Sequence, residues 1–145
     1  MERKLKVTKH LLERYVERFY KDEDGEDIEY LIQISPFGRT HQQNKKIRSI
    51  ISEIKNKFQE AKETKSYLNN TNAILYLYET YGYDIKFAFF HYRNILFVTK
   101  HRSAGNFSGI TCYDLNNSDC FRNITTVKYT RKHIKRRILF NVSYH

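Results

Sequence analysis

The chain of 145 residues is poor in the residues that cross-link or punctuate a fold: two cysteines, one proline, five glycines and no tryptophan. Two cysteines, Cys112 and Cys120, are too few for a disulfide scaffold, and free thiols in a reducing compartment are the expectation. None of the glycines stands in the G-x-x-x-x-G-K order of a phosphate loop, and "FSGIT" lacks the glycine spacing of a hydrolase elbow. Metal chemistry has little to draw on either. His10 with Glu13 makes H-x-x-E rather than H-E-x-x-H, the cysteines form no C-x-x-C pair, and His41, His91, His101, His133 and His145 are scattered. No metal and no cofactor is therefore expected. Apolar runs are short as well, far below the roughly 20 residues that a membrane helix requires. "MERKLKV" is charged without an apolar segment behind it, so the expectation is a soluble, cytoplasmic protein. In that setting the N-x-S/T patterns at Asn69, Asn106, Asn116, Asn123 and Asn141 follow from an asparagine-rich composition rather than from glycosylation.

Acid is scarce in the second half. Residues 1–63 hold 14 Lys+Arg against 12 Asp+Glu, whereas residues 64–145 hold 12 against 4. Between Cys120 and His145 there are seven Lys+Arg and no acid. The net charge is +10, an excess that favours a polyanionic partner, RNA or DNA first. Twelve Tyr and ten Phe supply large apolar surfaces for a core, so a chain with 29% charged residues still reads as one folded domain spanning 1–145.

The fold class follows from the order of the patterns. "ERKLKV" is extended. Thr8 can cap a helix to about Tyr20, with Leu11, Leu12, Tyr15, Val16 and Phe19 as its core stripe. "KDEDGED" reads as an acidic turn around Gly25, and 28–34 as a short helix or strand. Thr40 and Gln43 have capping-box spacing before a long helix over about 40–65, with Ile47, Ile50, Ile51, Ile54, Phe58 and Ala61 on one face. Short runs rich in β-branched and aromatic residues then follow at 73–79, 85–92, 95–101, 107–113 and 124–130, with 136–144 as a further strand. The two residues "RN" suit a tight hairpin. Helices first and strands after predict an α+β fold: an antiparallel meander of about five strands packed by the N-terminal helices on one face.

Three regions offer chemistry. On the first helix His10, Arg14 and Arg18 form one stripe. A histidine can move protons near neutral pH, and arginines clamp phosphate, so the stripe suits phosphodiester work. Equally, Glu13 and Glu17 beside the arginines make an ordinary solvated helix side. Lys100, His101 and Arg102 arrive together at the turn "RSAGN", where strand ends often carry function. "KYTRKHIKRR" holds six cations in ten positions: Lys128, Arg131, Lys132, Lys135, Arg136 and Arg137. That density suits a nucleic-acid backbone, with Tyr129 available to stack on a base, although an acidic protein surface would meet the same charges.

"VTKHLLERYVERF", with Thr8, His10, Glu13, Arg14 and Arg18, resembles the opening of small bacterial and phage proteins similar to the RelE-type toxin superfamily. "ILFVTKHRSAGNFSGITCYDL" resembles their late hairpin. The resemblance implies a compact α+β, metal-independent endoribonuclease, with His10 as general acid/base and Arg14, Arg18 and Lys100 holding phosphate. The Lys-, Asn- and Ile-rich composition points to an AT-rich bacterial or phage genome. The alternative is a non-enzymatic counter-defence inhibitor from a phage or mobile element, which would bind a host protein or occlude a nucleic-acid site.

Overall fold

A computed structural model describes residues 3–20, 23–64 and 71–116. The elements in chain order are β1 (Lys4–Lys6), α1 (Lys9–Phe19), α2 (Glu23–Gln33), a 3-10 turn (Pro36–Gly38), α3 (His41–Glu60), β2 (Lys62–Thr64), α4 (Thr71–Tyr81), β3 (Phe87–Tyr92), β4 (Ile95–Ser103) and β5 (Asn106–Asp114). The fold is α+β, as expected, with helices packed against a five-stranded sheet.

The sheet order is β1-β5-β4-β3-β2. Its centre is the expected meander, β3-β4-β5, closed by the "RN" turn with Arg93 at φ 51° and by a second turn with Gly105 at φ 76°. The outer strands differ from expectation. β2 is a three-residue strand directly after α3, antiparallel to β3, and β1 joins β5 in parallel, making the sheet mixed. The proposed strands at 124–130 and 136–144 lie outside the described residues.

Alternation sorts the strand residues onto two faces. Phe90, Phe97 and Cys112 are cross-strand neighbours on one face and pack with α1, α2 and α3. Phe58 of α3 is fully buried there, with ring centroids 4.7, 5.7 and 5.9 Å from Phe90, Phe97 and Phe107. Burying one such side chain is worth about 1.5–3 kcal/mol. Phe89, Leu96, Val98 and Tyr113 form the other face and pack with Leu75 and Leu77 of α4. Helices therefore cover both faces rather than one.

The segment 73–79, expected as a strand, is part of α4. A short apolar run satisfies helix and strand periods equally well. What ends it is Gly82, at φ 114°, whose N–H reaches Tyr78 O at 2.8 Å and closes a helical C-terminus. The acidic turn around Gly25 is likewise the first turn of α2. A Cβ on Gly25 would lie 1.8 Å from Tyr20 O, so the glycine permits the close approach of the α1–α2 connection. α3 does carry its capping box: Thr40 Oγ1 accepts from Gln43 N at 3.1 Å, and Gln43 Oε1 accepts from Thr40 N at 2.9 Å. It stops at Glu60 rather than near 65 because Ala61 is extended and leads into β2. Arg3 holds that end, donating to Phe58 O at 3.0 Å and Gln59 O at 3.1 Å and also to Ala61 O, while its guanidinium lies over the rings of Phe58 and Phe90.

α1 and α3 are tied by a polar knot. Tyr15 donates to Glu53 Oε2 at 2.5 Å, Tyr20 donates to the same oxygen at 2.9 Å, and Lys57 donates to the Tyr15 hydroxyl at 2.7 Å. Burial, and then the Glu53 carboxylate, push the Tyr15 phenol far above its ordinary range and that of Tyr20 up to about 12. Both therefore act as donors at any working pH.

α1 runs along β5 beyond the short β1 pairing. Thr8 Oγ1 accepts from Leu11 N at 3.2 Å and donates to Gly109 O at 2.6 Å, and Arg18 donates to Cys112 O. Gly109 is needed for this approach, since a Cβ there would lie 2.2 Å from Leu11 Cδ2, and Leu11 is fully buried. A Gly109→Ala chain is expected to lose about 1–3 kcal/mol of stability in urea denaturation by overpacking. Adding Leu11→Ala should cost less in that background than in the parent chain; additive losses would show that the two positions do not compete for space.

Candidate nucleic-acid interface

The three cations and the imidazole proposed for chemistry have unequal freedom. Arg18 is committed to the sheet. Besides Cys112 O it reaches Thr111 Oγ1 at 3.3 Å and lies 4.8 Å from the centre of the Tyr113 ring. Arg14 donates to Glu17 Oε2 at 2.5 Å, the one-turn ion pair of a solvated helix side. His10 is half-buried between α1 and α4, with Nε2 3.3 Å from the Tyr81 hydroxyl. Burial first, and the neighbouring Arg14 charge second, lower its pKa below 6.5. It is therefore a neutral imidazole at pH 7, able to accept a proton.

Lys100 stands in a cross-strand row. Register places Lys6, Ser108, Lys100 and Phe87 side by side across β1, β5, β4 and β3, hence on one face of the sheet. Arg102 Nη1 donates to Ser108 Oγ at 3.3 Å, adding a third cation to that row. Phe87 also touches Tyr81, with ring centroids 6.5 Å apart, and Tyr81 touches His10. Lys100 and His10 thus flank the Phe87–Tyr81 pair, Lys100 as the cross-strand partner of Phe87 and His10 against the Tyr81 ring.

A second group gathers at the adjoining sheet edge. β1, the last turns of α3 and the β4–β5 turn enclose an open cleft of about 770 Å³. Among the described residues, five cations line it, Arg3, Lys4, Lys6, Lys55 and Arg102, together with Asn56, Gln59, Ser103 and Asn106, and no carboxylate does. Arg3 is occupied by the end of α3. Lys4, Lys55 and Arg102 are exposed and have no acidic partner among the described residues; the same holds for Lys6 and Lys100. Together they make a positive field that favours an anion of several charges. His10, Arg14 and Arg18 do not line this cleft.

The basic turn expected at "RSAGN" forms one wall of the cleft through Arg102, Ser103 and Asn106, whereas Lys4, Lys6 and Lys55 are not among the binding residues expected from the sequence. "KLK" does carry a signal, because one buried leucine between two exposed lysines is an edge strand with a basic side. Its partner across the cleft lies too far along the chain for local pattern to reveal. Lys128, Arg131, Lys132, Lys135, Arg136 and Arg137 lie outside the described residues. Among the described residues no three His, Cys, Asp or Glu gather as a metal site, and no helix is long and apolar enough to cross a membrane. Comparison with protein-family models, curated proteins and solved structures returns no significant match.

The sign of the His10 shift fixes a pH dependence. The unfolded chain binds this proton more tightly than the folded one, so the contribution is full above about 6.5 and is lost as pH falls from there through the lower folded-state value. Titration of the His10 ring by NMR should give a midpoint below 6.5, moving upward in Arg14→Gln as a positive neighbour is removed. A midpoint above 6.5 would contradict the buried, Arg-flanked placement.

Proposed function

We propose that this protein binds nucleic acid through its phosphate backbone at the β1–α3–hairpin edge. One observation carries the reading. Lys4, Lys6, Lys55 and Arg102, drawn from three distant parts of the chain, line one open cleft that no carboxylate of the described residues enters. Lys100 extends the same charge across the adjacent sheet face through its place beside Ser108. Lysine and arginine attract phosphate by charge, and arginine adds a forked hydrogen bond. The half-buried Phe107 of the cleft packs on His101 and Phe90, which leaves base stacking a minor part of this site. Affinity then comes from counterion release and is largely independent of sequence.

The measurement is binding of a labelled oligonucleotide as a function of salt. Affinity should fall linearly on a log–log plot, and Lys4→Gln with Arg102→Gln should reduce the slope by about two, near one for each phosphate no longer neutralised. His10→Ala should bind like the parent chain. Salt-insensitive binding, or a slope unchanged by the double substitution, would refute the assignment.

A further inference from the structure

α3 carries more charge than its packing uses. On a helix of 3.6 residues per turn, His41, Lys45, Arg48, Ser52, Lys55 and Gln59 fall within an arc of about 80°, and all six are exposed. That arc lies opposite the buried stripe of Ile47, Ile50, Ile54 and Phe58. The helix has two acids. Glu53 is turned into the Tyr15–Tyr20–Lys57 knot, and Glu60 stands at the last position. The outer strip therefore carries three cations and three neutral polar side chains and no acid, and at Lys55 and Gln59 it runs into the wall of the cleft. With 20 residues α3 is about 30 Å long, which matches about nine phosphates along one DNA strand.

We propose that the outer face of α3 lies along double-stranded DNA, as an extension of the cleft and resting on the binding reading above. Three features select this occupant. The strip is too long for a mononucleotide. It holds no exposed aromatic on which the bases of a single strand could stack, since among the described residues the large exposed apolar side chains, Tyr30 and Phe37, belong to α2 and the 3-10 turn. A helix with serines between its cations also fits the wide major groove of B-form DNA, whereas the A-form RNA groove is deep and narrow. Lys45 and Arg48 meet phosphates on one side, and Lys55 leads the duplex edge into the cleft beside Lys4 and Arg102.

The test compares the full chain with Lys45→Gln/Arg48→Gln, two exposed positions, after thermal melting has shown equal stability. The probes are a 20-base-pair DNA duplex, one of its strands, and the RNA duplex of the same sequence. The expected result is a salt slope on DNA duplex lowered by about two units in the variant, with single-strand and RNA binding unchanged. An unchanged slope on the duplex, or an equal loss on single strand or on RNA duplex, overturns the proposal. The Lys4→Gln/Arg102→Gln chain separates the two readings. If it weakens every probe while the α3 variant weakens none, the cleft stands and the α3 extension fails. If it weakens none, the cleft reading itself fails.

Discussion

The contact on which the rest depends is α1 lying along β5 beyond its three pairs with β1. A bare strand edge exposes unpaired carbonyls. Here Thr8 at the start of α1 and Arg18 at its end donate to Gly109 O and Cys112 O, and Gly109 leaves room for Leu11 between them. With the helix fixed there, its apolar stripe turns toward α3 and the Phe58 cluster, and the His10 side turns toward α4 and Tyr81. The strand preceding the helix then has one place to go: parallel to β5 at the sheet edge, beside the end of α3 and the β4–β5 turn. Lys4 and Lys6 reach Arg102 and Lys55 for that reason.

This arrangement divides the cations by role. Arg3, Arg18 and Arg39 are structural. Each donates to backbone carbonyls at a helix end or a strand edge, Arg39 to Leu31 O at 2.7 Å. Lys57 belongs to the knot that joins α1 and α3. Among the described residues, Lys4, Lys6, Lys45, Arg48, Lys55, Lys100 and Arg102 stand exposed, and they are the cations proposed to meet a polyanion. Arginine's rigid fork suits it to satisfying several carbonyls at once, and the flexible ammonium of lysine suits phosphates that are not held in register.

The local parts of this fold were legible in the sequence. The capping box at Thr40 and the isoleucine stripe gave α3, and the "RN" and "RSAGN" turns gave the β3-β4-β5 meander. Errors arose where two local patterns coincide or where a distant partner decides. "AILYLYE" fits both periods, and Gly82 with packing on Phe89 and Leu96 made it helical. Gly25 reads as a turn residue until the approach of Tyr20 O explains it within a helix. Arg18 looked free because its helix neighbours are visible in the sequence and the carbonyl of Cys112 is not. The cleft as a whole could not be read, although "KLK" and "RSAGN" each carry a local basic signal, since Lys4, Lys55 and Arg102 meet only through the parallel pairing of β1 with β5.

The central claim, that cations from β1, the end of α3 and the β4–β5 turn act as one phosphate-binding surface, is tested most directly by backbone amide NMR during titration with a short DNA duplex. The account predicts that Lys4–Lys6, Lys55–Gln59 and Arg102–Asn106 shift together along one saturating curve. Shifts confined to the Tyr30 and Phe37 corner, or absent from these three segments at saturation, would contradict it.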